Sequence, residues 1–114
     1  MLFAAFIWTK WDSEDDLDPD EFGRYLAFNA QSAAAGVRSG GVALRPVSAA
    51  VMVRLRNDEV LVTDGPFLES KEQLSGFYLL DCADRDEAIE WAARIPGARH
   101  GTVELRPVFV EHAT

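Results

Sequence analysis

A single cysteine, Cys82, leaves this chain without an internal disulfide or a thiolate metal cage, which is the usage expected in a reducing cytoplasm. Histidine is almost as scarce. His100 and His112 do not stand with Asp64 or Cys82 at any metal-ligand spacing, and no serine or thiol has the setting of a nucleophile, so no cofactor is expected. Long hydrophobic runs are missing too. Leu2 to Trp8 is far shorter than the roughly 20 residues that span a bilayer, and it lacks the basic flank and cleavage site of an export signal. Positive charge is thin: 11 Lys and Arg against 19 Asp and Glu give a net charge of −8, which argues against nucleic acid or an anionic membrane as the main partner. There are no repeats, linkers or low-complexity tracts, so the 114 residues, 48% of them hydrophobic, are expected to form one domain around one core.

The charge is unevenly placed. Seven acids crowd the stretch from Asp12 to Glu21, and no acid follows from Phe22 through Asn57, where Arg24, Arg38, Arg45, Arg54 and Arg56 lie. These arginines read as solvated tips of elements, or as a small-anion site or a contact for a partner's acidic loop.

The pattern predicts a strand over Leu2–Trp8, apolar throughout as if covered on both faces. Asp18-Pro19-Asp20-Glu21 supplies a cap, a first-turn proline and an acid for a helix running to about Ala35, with Phe22, Leu26, Ala30, Ala33 and Val37 on one stripe and Gly36 as its stop. Short strands are expected at Val42–Arg45 and Ala49–Arg56, the second joined to Glu59–Thr63 through an Asn57-Asp58 turn. A reversal at Asp64-Gly65-Pro66-Phe67 and a polar loop follow. Then come a strand over Phe77–Cys82 and a helix capped by Asp84, with Ala88, Trp91, Ala92 and Ile95 on one face. The last strand, Thr102–Val110, puts Val103 and Leu105 on one side and Glu104 and Arg106 on the other. This order predicts an α+β, ferredoxin-like β-α-β-β-α-β sandwich with an additional β-hairpin and an antiparallel sheet. Two helices on one face leave the other bare, and a homodimer is the expected remedy.

The segment Val62-Thr63-Asp64-Gly65-Pro66-Phe67, with Glu69, Lys71-Glu72-Gln73-Leu74 and Gly76-Phe77-Tyr78 after it, resembles the DGPF branch of the YCII-related family. The likeness continues through Asp84–Ala93, Pro96 and Gly101–Val108. It implies a dimeric α+β barrel, the arrangement of muconolactone isomerases and related small oxygenases. It also implies an enzyme built on a recurrent His and Asp, or an accessory of bacterial extracytoplasmic-function sigma factors. Asp64 is the counterpart of that Asp, whereas the first helix holds no histidine and offers Tyr25 at the matching position.

The candidate site follows from these readings. Asp64 is either a turn-fixing carboxylate or a proton-transferring group made so by partial burial, and Tyr25 is a hydrogen-bond donor to substrate. Lys71 reads as a surface charge, a partner of Asp64 or an anion holder. Glu104 and Arg106 read as a mutually satisfied interface pair, or Arg106 as an anion holder. His100 is an exposed loop residue or a substrate contact. Trp8, Trp11, Tyr25, Phe77 and Tyr78 are core and interface aromatics, or the lining of a pocket. The expected activity is isomerase-, lyase- or monooxygenase-like acid/base chemistry on a small anionic or oxygenated organic molecule, and the rival is a metabolite-binding or accessory module.

Overall fold

The computed structural model describes residues 1–10, 18–65 and 71–109. Most of the acidic stretch, Trp11, Pro66 with Phe67, Glu69, Val110 and His112 lie outside them. The elements are β1 (Leu2–Thr9), α1 (Pro19–Ala34), β2 (Arg38–Ala43), β3 (Val51–Arg56), β4 (Glu59–Asp64), β5 (Gln73–Asp81), α2 (Arg85–Ala93) and β6 (Thr102–Pro107), with 3-10 turns at Val47–Ala49 and Pro96–Arg99. Four strands form one antiparallel sheet in the order β2-β5-β1-β6, and β3 pairs with β4 in a separate two-stranded hairpin. This is the ferredoxin-like α+β arrangement with an inserted hairpin. Among the described residues no helix is long and apolar enough to cross a membrane.

Both helices lie on one face. Phe3, Ala5 and Ile7 of β1 and Tyr78 and Leu80 of β5 are buried in one cluster with Phe28 of α1, Ala88 of α2 and Ile95. Because side chains alternate along a strand, Leu2, Ala4, Phe6 and Trp8 point the other way and stay half-buried. The apolar first strand is therefore covered on one side within this chain.

Both helices begin as their sequences dictate. The Asp18 carboxylate accepts from Asp20 N, and that of Asp84 from Glu87 N, each satisfying a backbone donor that the first turn leaves open. Gly36, at φ 73°, ends α1 in a conformation that side chains resist. The buried face of α1 differs from the expected stripe: Phe28 and Ser32 are buried, while Phe22 and Leu26 are 67% and 54% exposed. The rotation suits the aromatics. Phe28 meets Tyr78 at 5.0 Å between ring centroids and Trp91 at 6.2 Å, whereas alanines at 30 and 33 would offer the sheet little area. Ser32 Oγ donates to Phe28 O, so its burial leaves no orphaned hydroxyl.

Strand boundaries also shift. β2 starts at Arg38 because Arg38 to Ala43 ladder with β5, β3 starts after the 3-10 turn, and β5 begins at Gln73 because Gln73 and Leu74 pair with Thr9 and Trp8 beyond a bulge. The Asn57-Asp58 turn is as expected, with φ of 51° and 62° at its two residues, the backbone of a type I′ hairpin.

Candidate functional site

The strands converge at one end of the sheet, where β1 finishes at Thr9, β5 starts at Gln73, β6 starts at Thr102 and the hairpin departs. On the helix side of this end, the 3-10 turn Pro96–Arg99 carries His100 back over the first turns of α1. His100 Nε2 lies 3.2 Å from Glu21 Oε1, and Glu21 Oε2 lies 3.5 Å from the Arg24 guanidinium. One helical turn on, the Tyr25 hydroxyl accepts a hydrogen bond from Gly97 N at 3.1 Å. Glycine is needed there, since a Cβ at 97 would stand 2.8 Å from both the Tyr25 hydroxyl and Ile7 Cγ2.

Burial pushes the Tyr25 phenol up to about 12; the Gly97 N–H pulls the other way, and the nearby Glu21 carboxylate adds a smaller push upward. The hydroxyl therefore keeps its proton across the physiological range and is a donor. Beside it stands an imidazole backed by a carboxylate. Together they form a hydrogen-bond donor and a proton acceptor on neighbouring elements.

The face without helices has a different character. Phe6 and Phe77 pair across the ladder with centroids 6.2 Å apart, flanked by half-buried Trp8 and Leu79. Register places Arg106 opposite Ala4 and Glu104 opposite Phe6, so both charges emerge on this face from β6, an edge strand of the sheet. They do not pair with each other. Glu104 Oε1 accepts from Trp8 Nε1 at 3.1 Å, and among the described residues Arg106 has no hydrogen-bond or ion-pair partner. The mutual pair expected from their spacing is not formed, and Glu104 accepts from the Trp8 indole instead. At the start of β6, Thr102 Oγ1 donates to Glu72 Oε1 at 3.1 Å.

Asp64 closes β4 opposite Val51 and is exposed on the separate hairpin, so a single chain does not give it the burial on which a proton-transferring role rests. Its carboxylate has no partner among the described residues, neither Lys71 nor the backbone of its own turn, which Gly65 N closes onto Ala50 O. Lys71 is exposed just ahead of β5. Of the residues singled out from sequence, Tyr25 and His100 come together and Glu104 and Arg106 share a face, while Asp64 and Lys71 join neither group directly.

Glu21 was hidden as a site residue behind its evident service to the helix start. Its spacing four residues before Tyr25, which puts both on one helix face, is the signal that could have found it. A groove of about 400 Å³ lies elsewhere, between α2 and β6, lined by Phe3, Ile89, Ala92, Val103 and Leu105, with Arg85 the only charged group among the described residues that line it. Among the described residues no three His, Cys, Asp or Glu side chains gather as a metal ligand set.

The YCII-related domain matches residues 1–112. An uncharacterized protein of Rhizobium meliloti (strain 1021) is 38% identical over 117 residues, an alignment covering 95% of this chain and 92% of that protein. With a match running through both helices and all six strands of the described residues, this chain belongs to the YCII-related family.

Proposed function

We propose that the protein is a homodimeric, cofactor-free enzyme that uses general acid/base chemistry on a small anionic or oxygenated organic molecule. The observation that carries the chemistry is the 3.2 Å contact of His100 with Glu21 beside the protonated Tyr25 hydroxyl. In this reading His100 takes a proton from the substrate, Glu21 orients the ring and stabilises the imidazolium that forms, and Tyr25 donates to the oxygen on which charge develops. The proton-transferring role passes from Asp64 to His100, which brings the imidazole that α1 lacks. Lys71, at the same end of the sheet, would hold an anionic group of the substrate.

Dimerisation is supported by the apolar surface that the fold leaves open and a partner would cover: the helix-free side of the sheet, and the β3–β4 hairpin, whose Val53, Leu55, Val60 and Val62 are each more than 60% exposed. The apolar Phe6, Trp8, Phe77 and Leu79 face is the surface such a partner would cover.

The test is a thermal-shift screen of small carboxylates and phenols, followed by incubation and mass analysis of every stabilising compound. Conversion that falls at least about 100-fold in His100→Asn, with the variant still folded, supports the assignment. Undiminished conversion removes His100 from the mechanism. A second reading, a non-catalytic module that binds a metabolite, is favoured by the apolar groove between α2 and β6. It predicts stabilisation without any change of mass, abolished by Leu105→Asp and indifferent to His100→Asn. An accessory role beside a sigma factor predicts co-purification of that factor and no ligand response.

A further inference from the structure

The β3–β4 hairpin is an amphipathic ribbon lying over no core. Residues directly opposite in an antiparallel pair share a face, so Val51, Val53, Leu55, Val60 and Val62 form one side of it. All five are between 53% and 67% exposed. The other side carries Arg54, Arg56, Glu59 and Thr63 among Met52 and Leu61. Two strands alone are marginal in water, and a side made of branched aliphatics is stable only when something apolar covers it.

The main sheet has the complementary lack, an aromatic face under no helix. Each of these two apolar surfaces also bears one charge without a partner among the described residues. Asp64 lies on the hairpin's aliphatic side, opposite Val51, and Arg106 lies on the helix-free side of the sheet, opposite Ala4. Within one chain they belong to opposite ends: the hairpin leaves where β6 begins at Thr102, and Arg106 sits near where β6 finishes. A two-fold axis between two stacked sheets and across their strands reverses strand direction. It therefore carries one copy's hairpin end over the other copy's Arg106 end.

We propose that the hairpin is an arm that lies on a second copy of this chain, its aliphatic side against the helix-free sheet and Asp64 paired with Arg106 of the partner subunit. The pairing rests on the homodimer reading above and gives it a register. It joins one uncompensated charge of each sign, each of which would otherwise be buried alone when the apolar surfaces meet. The symmetry makes the contact twice.

The experiment uses three chains: Asp64→Arg, Arg106→Asp and wild type. Both side chains are exposed, so each variant keeps the fold, which far-UV circular dichroism confirms. Alone, each single variant sets like charges against each other at both contacts, and its dimer dissociation constant rises on the order of 10- to 100-fold. Mixed, the two variants restore opposite charges at both contacts and form a heterodimer of near wild-type affinity. Recovery on mixing is the expected result, and it cannot arise if Asp64 and Arg106 meet within one chain. Variants that dimerise as wild type, or that fail to recover on mixing, overturn the arm contact while leaving the homodimer standing. A wild-type chain that stays monomeric overturns both.

Discussion

Trp8 Nε1 donates to Glu104 Oε1 at 3.1 Å, reaching diagonally across the β1–β6 ladder on the face of the sheet that neither helix covers. The contact satisfies the indole N–H with a carboxylate oxygen, a charge-assisted hydrogen bond. It also settles the geometry of β6, whose Val103 and Leu105 serve the core while Glu104 and Arg106 serve the other side.

Trp8→Phe keeps an aromatic ring and removes the N–H. In the proposed dimer Glu104 then enters the interface without its donor, at a cost of about 1–3 kcal/mol. The dimer dissociation constant, measured by sedimentation equilibrium, is expected to rise at least tenfold, and Glu104→Leu in the same background should recover much of that loss.

Phe28→Ala removes the ring that joins α1 to Tyr78 and Trp91. Urea denaturation should show a loss of about 3–5 kcal/mol. Phe22→Ala, on the exposed side of the same helix, should cost no more than about 0.5 kcal/mol.

Tyr25 ties stability to alkaline pH. Its folded-state pKa of about 12 lies above the 10.0 of an unperturbed phenol, so between these values the unfolded chain has lost a proton that the native chain keeps. The contribution of this group is whole below pH 10 and falls as pH rises from 10 through 12, by on the order of 1–2 kcal/mol after solvent screening of the partly exposed hydroxyl. Tyr25→Phe should flatten that decline in denaturation curves. Phenolate absorbance should also rise later in the native protein than in urea, because the second tyrosine, Tyr78, is raised by burial as well.

Asp58→Gly tests the hairpin turn. Asp58 sits at φ 62°, where glycine bears no side-chain penalty, and Asn-Gly is the preferred sequence of a type I′ turn. The substitution should raise stability by up to about 1 kcal/mol and slow amide exchange along β3 and β4.

What the sequence made legible was local. The Asp18 and Asp84 caps, the Asn57-Asp58 turn, the inward face of α2 and the alternation of β6 each depend on neighbours a few residues apart, and each is found as expected. The face of α1 was missed because two stripes compete on it, and the aromatic partners that decide between them, Tyr78 and Trp91, come from distant segments. β5 was read too short because the polar Gln73 and Ser75 gain their strand conformation from pairing with β1 and β2, not from their own pattern. The candidate site was half visible. Tyr25 and His100 were singled out separately, but the carboxylate that joins them spans 79 residues of chain to reach the imidazole, and no local spacing encodes that contact.

Sedimentation equilibrium of the wild-type chain at micromolar concentration tests most directly the proposal that a second copy covers the helix-free sheet face. A particle of twice the 12.6 kDa chain mass, reduced to single chains by Phe6→Glu at the centre of that face, is the expected result. A stable single chain, or a dimer indifferent to a charge at Phe6, would contradict it.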